Sequence, residues 1–139
     1  MVQLILGKKG KGKTRHLLGK ANAEILNVHG NIVYLDKNTK HMYELNNRIR
    51  LINVMEYNIT DNREFIGFIN GIISQDHDLE QMYLDSFLTI GCVKEEELLD
   101  AVTKLEKIGK RFNLKFVLSC AVDESEIPES LREKIIISL

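Results

Sequence analysis

Gly7, Lys8, Lys9, Gly10, Lys11, Gly12, Lys13 and Thr14 follow one another as G-K-K-G-K-G-K-T, a fit to G-x-x-x-x-G-K-[ST]. Residues of these types at this spacing can cradle a phosphate. Gly7, Gly10 and Gly12 give the backbone conformations closed to other residues and turn its N–H groups toward one point. A helix starting there adds the positive end of its dipole. By position in the pattern, Lys13 reaches the terminal phosphates as a point charge, and the Thr14 hydroxyl ligates a magnesium ion bridging them. Lys8, Lys9, Lys11 and Arg15 crowd the same stretch. They are read as solvated positions beside the phosphates, so Gly7 to Arg15 as a whole is the candidate nucleotide-binding segment.

Such a loop has to leave the carboxyl end of a strand and open a helix. Val2, Leu4, Ile5 and Leu6 form a short, nearly continuous apolar run, as in a strand buried on both faces of a parallel sheet. After Thr14, the residues Leu17, Leu18, Ala21, Ile25, Leu26 and Val28 recur at helical spacing, and Gly30 stands where a helix commonly stops. Further along, Asn31–Asp36 reads as a second core strand and Lys37–Lys40 as a turn. Met42, Tyr43 and Leu45 suit either a hairpin arm or a short helix, whereas Ile49 to Val54 reads as extended.

Asp61 with Glu64 makes a capping box for a largely apolar helix through Phe65, Ile69 and Ile73, ending near Ser74. Gln81–Ser86 is the next predicted strand. Glu95, Glu96 and Glu97 favour the start of a long amphipathic helix whose buried face is Leu98, Val102, Leu105, Ile108 and Phe112. Leu114–Ala121 and Lys134–Leu139 are further predicted strands, separated by a polar passage from Asp123 to Glu133 that holds the only proline, Pro128. Strands alternating with helices predict a single α/β domain, a mostly parallel sheet with helices on both faces and right-handed crossovers. Ligands of such sheets bind at the carboxyl edge. That edge gathers the loop, Asp36, Asp85 or Ser86, and Ser119 or Cys120.

A magnesium-nucleotide site also needs an acid at the end of an apolar strand. Both I-V-Y-L-D, ending at Asp36, and M-Y-L-D, ending at Asp85, offer one. Asp85 is preferred, because strands bracketing the first crossover need not lie beside the loop.

The loop resembles the Walker A motif of the P-loop NTPase superfamily, and the chain as a whole is similar to a stand-alone minimal P-loop domain. It also resembles a group of small uncharacterised bacterial proteins labelled twitching-motility ATPase-like. The resemblance implies ATP and magnesium as cofactors, with Lys13 and Asp85 as the catalytic pair and Thr14 and Asp85 toward the metal. It favours an acid on a later strand, hence Asp85, and gives Ser119 the position of a sensor of the terminal phosphate. Where many relatives carry a glutamate beside this aspartate, this chain has Ser86, which is no base at neutral pH without a partner. No adjacent arginine finger is recognisable, and Arg111 and Arg132 are the free candidates. Lys8 stands where deviant Walker A ATPases carry a lysine that crosses a dimer, but Lys9 replaces their glycine.

Three functional classes fit: a slow ATPase or nucleotide-dependent switch completed by a protein partner or by self-association, a small-molecule kinase, and a nucleotide-binding adaptor without turnover. The first is preferred, since no basic lid segment marks a kinase. The absence of an N-K-x-D sequence favours ATP over GTP in the light of the same resemblance. With 139 residues, 44% of them hydrophobic, and 19 basic against 20 acidic side chains, the chain has room for one domain and gives no bulk-charge argument for nucleic acid. No apolar run approaches the ~18 residues of a membrane span, and a cytoplasmic location is expected. Cys92 and Cys120 form no C-x-x-C pair and read as reduced thiols. His16, His29, His41 and His77 lack metal-ligand spacing.

Overall fold

The computed structural model describes residues 1–139. Six strands form one open, all-parallel sheet: β1 (Val2–Leu6), β2 (Asn31–Asp36), β3 (Arg50–Asn53), β4 (Leu79–Leu84), β5 (Lys115–Cys120) and β6 (Ile135–Ser138), in the spatial order β3-β2-β4-β5-β1-β6. The helices are α1 (Lys13–Glu24), α2 (Asn62–Ser74), the single turn α3 (Phe87–Ile90) and α4 (Leu98–Phe112). The expected α/β architecture is therefore present, with every strand pairing parallel.

The period of two along each strand divides the interior into two layers. Leu4, Leu6, Val33, Leu35, Met82, Leu84, Phe116 and Leu118 face α2, α3 and α4 in the larger core. Ile5, Ile32, Tyr34, Tyr83 and Val117 face α1 through Leu17, Leu18, Ala21 and Ile25. Both faces being covered, the central strands are apolar almost without interruption. This alternation also orients the strand ends. Asp36, Asp85 and Ser119 lie in step with Tyr34, Tyr83 and Val117, so they belong to the face over which α1 runs.

Several boundaries differ from the sequence reading. α1 ends at Glu24, where the chain tightens into a turn, and Gly30 is no helix stop. Gly30 is required by close approach, since a Cβ there would meet the Asp78 carbonyl oxygen at 1.9 Å. Residues 41–45 are neither hairpin arm nor helix but a series of turns, tied to α1 where Asn22 Nδ2 donates to the Glu44 carbonyl at 2.8 Å. The capping box at α2 is shifted by one residue. Asp61 Oδ1 accepts from Glu64 N at 2.8 Å, while the Glu64 carboxylate accepts from Thr60 N and Oγ1. β4 begins at Leu79 and stops at Leu84, which leaves Asp85 just past its carboxyl end.

Candidate functional site

β1 ends at Leu6, and the chain runs through Gly7 to Gly12 before α1 opens at Lys13. Gly10 (φ 86°) and Gly12 (φ 90°) hold left-handed backbone that side chains resist. Gly7 does not. The reason for glycine there is space, because a Cβ would lie 3.0 Å from Leu139 Cβ and 3.2 Å from Lys11 Cβ, so the conformational role expected of it is corrected to one of close packing. Gly12 is the N-cap of α1 and offers no side chain to its first N–H groups. Those donors stay open toward the loop, the arrangement that suits an anion.

Lys13 is the first residue of the helix. Its Nζ donates to the Lys8 carbonyl at 3.2 Å, across the loop. Burial lowers its pKa, the charge of Asp85 opposes that shift, and the charge of Lys37 adds to it. Thr14 turns toward the sheet, where its Oγ1 donates to Asp85 Oδ1 at 3.2 Å.

Asp85 is the hub of the site. It is 2% exposed, and Ser119 Oγ donates to its Oδ1 at 2.7 Å while Tyr34 OH donates to its Oδ2 at 2.8 Å. The strand order explains this convergence: β5 lies between β1 and β4, and β2 flanks β4 on the far side. Ser119 therefore reaches Asp85 from one neighbour and Tyr34 from the other. Burial and the Asp85 charge both raise the Tyr34 pKa, so its hydroxyl keeps the proton it donates. Ser119 also accepts from Ser86 N at 2.8 Å. The serine given a phosphate-sensing position thus has its hydroxyl engaged with Asp85 and the Ser86 backbone.

Asp36 ends β2 and is 3% exposed. Its Oδ1 accepts from Lys37 N at 2.7 Å, and its Oδ2 is buried without a partner. Burial raises its pKa, as does the charge of Asp85. Thr14 bonds to Asp85 and not to Asp36. Sequence reasoning passed over Tyr34 and Lys37, taking the first as core and the second as a turn residue. The tyrosine hydroxyl two residues before a strand-end acid was the available signal.

A cavity of about 410 Å³ joins these elements. Gly10, Gly12, Lys13 and Thr14 form one wall, Lys37 and Asp85 another, and it continues to Ser86, Leu88 and Thr89 around α3. Ser86 itself is left-handed (φ 57°) at the entry to α3. Strain of this kind in a non-glycine residue gathers at functional sites.

Other expected participants lie elsewhere. Lys8 forms an ion pair with Glu126, Arg111 sits over the Phe112 ring at 5.6 Å, and Arg132 is exposed in the connection before β6. Glu97 Oε1 accepts from Lys94 N at 2.9 Å, capping the turn ahead of α4. Burial pushes the Cys120 thiol up to about 12, which keeps it unreactive. A larger hollow of about 850 Å³ lies at the amino edge of the sheet. There Lys115 pairs with Glu24 and Lys134 with Glu106, so much of its charge is already matched.

No three His, Cys, Asp or Glu side chains gather as a metal cluster. The donor set at the loop still suits magnesium, which takes one or two protein oxygens and fills its octahedron with waters and phosphate oxygens. Thr14 Oγ1 gives its proton to Asp85 and keeps lone pairs for a cation. No helix is long and apolar enough to cross a membrane. Neither a scan against protein-family models nor a search of curated proteins finds a match for this chain.

Proposed function

We propose that the chain binds a magnesium-nucleoside triphosphate, ATP in preference, as a slow ATPase or nucleotide-dependent switch that a protein partner or a second copy completes. One observation carries the reading. Behind the left-handed Gly12, α1 opens with Lys13 and with a Thr14 whose hydroxyl bonds to the buried Asp85. Loop N–H groups and the helix end would hold the phosphates, and Lys13 would exchange the Lys8 carbonyl for a phosphate oxygen. Thr14 Oγ1 would hold the magnesium directly, with Asp85 orienting that hydroxyl and accepting from metal-bound water. The ion supplies neutralisation of charge on the terminal phosphates.

Slow turnover follows from what the chain's own residues lack. Ser86 offers no carboxylate beside Asp85, and neither Arg111 nor Arg132 lines the cavity. A second reading, transfer of the terminal phosphoryl group to a small acceptor, is favoured by the extension of the cavity past Asp85 to Ser86, Leu88 and Thr89.

Equilibrium binding of Mg-ATP and single-turnover hydrolysis by the full chain, at several protein concentrations, test the proposal. Lys13→Ala is expected to weaken binding about ten- to a hundredfold, the worth of a hydrogen bond to a charged group. Undiminished binding by a folded Lys13→Ala chain overturns the phosphate-loop reading. Turnover that rises with protein concentration supports completion by self-association. Acceptor-dependent ADP release selects the kinase, and tight binding without turnover selects a switch or an adaptor.

A further inference from the structure

The cavity has more positive charge than the loop alone accounts for. Lys9 and Lys13 come from the loop and the first turn of α1, but Lys37 comes from the other side of the site, immediately past the end of β2. Between β1 and β2 lie β5 and β4, so the two strands are about 14 Å apart, three spacings of the sheet. Asp85 stands between them, just past the end of β4. Two lysines on four-carbon stems, one from each side, can converge on a single phosphate in that gap.

Lys37 is also held in place. The buried Asp36 carboxylate accepts from the Lys37 backbone N–H at 2.7 Å, fixing the point at which the chain leaves β2. Its ammonium has no carboxylate within ion-pair distance, whereas Lys8 is taken by Glu126 and Lys13 rests on the Lys8 carbonyl. The remaining charged group of the cavity wall, besides Lys9 and Lys13, is Asp85, which already accepts from three hydroxyls.

We propose that Lys37 is a second phosphate-binding cation of this site, contacting the terminal phosphate of a bound triphosphate from the β2 side while Lys13 contacts it from the loop. The role rests on the nucleotide-binding reading above and adds to it. It supplies within the chain a charge at the position where the reaction builds negative charge, a task for which no arginine of the chain is placed. The two ammonium groups already sense each other, since the charge of Lys37 helps to lower the pKa of Lys13. A phosphate between them would relieve that repulsion.

The contact predicts discrimination between nucleotides. Lys13 and the loop serve both ADP and ATP, but Lys37 reaches only the last phosphate. Binding of Mg-ATP and Mg-ADP is measured on the full-length wild type, Lys37→Ala, Lys37→Arg and Lys40→Ala, the last removing an exposed charge from the same connection. The expected result is a loss of about tenfold in Mg-ATP affinity for Lys37→Ala, with Mg-ADP changed by less than about twofold. Lys37→Arg restores part of the loss, and Lys40→Ala leaves the ratio of the two affinities unchanged.

An unchanged ATP-to-ADP ratio in Lys37→Ala overturns the role of Lys37 while leaving the nucleotide site intact. An equal loss for both nucleotides also overturns it, because that is the signature of a general field and not of a terminal contact. A wild-type chain that binds neither nucleotide overturns the underlying reading, and the role of Lys37 falls with it.

Discussion

Replacing Tyr34 by Phe isolates the bond that holds Asp85 from the β2 side. The ring is fully buried and stacked on Tyr83, with centroids 6.2 Å apart and planes 8° from parallel, so the substitution removes an oxygen and leaves the packing. What is lost is a 2.8 Å hydrogen bond to Asp85 Oδ2. A hydrogen bond to a charged group is worth ~1.5–3 kcal/mol, and the deprived carboxylate oxygen stays buried. A loss of ~2 kcal/mol is therefore expected, a large share of the ~5–15 kcal/mol that holds an ordinary domain together.

With a urea dependence of ~2 kcal/mol per molar, the unfolding midpoint should fall by ~1 M at unchanged slope. A double-mutant cycle assigns the effect. Tyr34→Phe in an Asp85→Ala background should cost far less than in the wild type, with a coupling of ~1.5–3 kcal/mol. A coupling below ~0.5 kcal/mol would refute the claim that Tyr34 acts through Asp85.

Gly12→Ala places a side chain at φ 90°, in open space, so it strains the backbone by ~1–2 kcal/mol without a clash. The chain should fold with a slightly lower midpoint and bind Mg-ATP at least about tenfold more weakly; wild-type affinity would separate the loop geometry from phosphate binding. For Asp36, whose pKa is raised in the folded state by burial and by Asp85, the sign follows from linkage. Its contribution is fully present below the unfolded value of ~3.9 and is lost as pH rises through the folded value. The stability of wild type relative to Asp36→Asn should accordingly decline as pH rises through that window and level off above it. A pH-independent difference in urea midpoints would contradict the burial argument.

How much of this was legible in the sequence depended on the range of the interaction. The loop from Gly7 to Gly12, β1 and β2 are local patterns: a glycine spacing and two apolar runs, the second ending at Asp36. α4 was visible for the same reason, since Leu98, Val102 and Leu105 repeat along one face and are buried. α1 was read too long because Ile25 and Val28 keep the helical spacing after the helix has stopped, and their burial comes from the sheet and the connection beyond. Residues 41–45 were ambiguous because their backbone is organised by Asn22, some 20 positions earlier. Gly30 was misjudged because the Asp78 backbone it must clear lies 48 residues away.

The carboxyl-edge rule gathers Asp85 and Ser119 beside the loop, but the bonds that meet at Asp85, and Tyr34 among them, are a product of strand order. Thr14, Tyr34, Asp85 and Ser119 come from four separate elements, and they meet only because β4 lies between β2 and β5. Once that order is known, the alternation of strand residues does the rest, since Tyr34, Asp85 and Ser119 share the face covered by α1. The geometry also distinguishes the two acids that the sequence left as rivals. Oδ1 of Asp85 accepts from both Thr14 and Ser119, whereas Oδ2 accepts from Tyr34 alone and keeps acceptor capacity, so the carboxylate orients the Thr14 hydroxyl without being saturated. Asp36 has one oxygen occupied by the Lys37 backbone and the other buried without a partner; its bond fixes where Lys37 leaves the sheet. The two strand-end acids thus have different partners, and removing the charge of either should alter the site in different ways: Asp85 through Thr14, Tyr34 and Ser119, Asp36 through the lysine beside it.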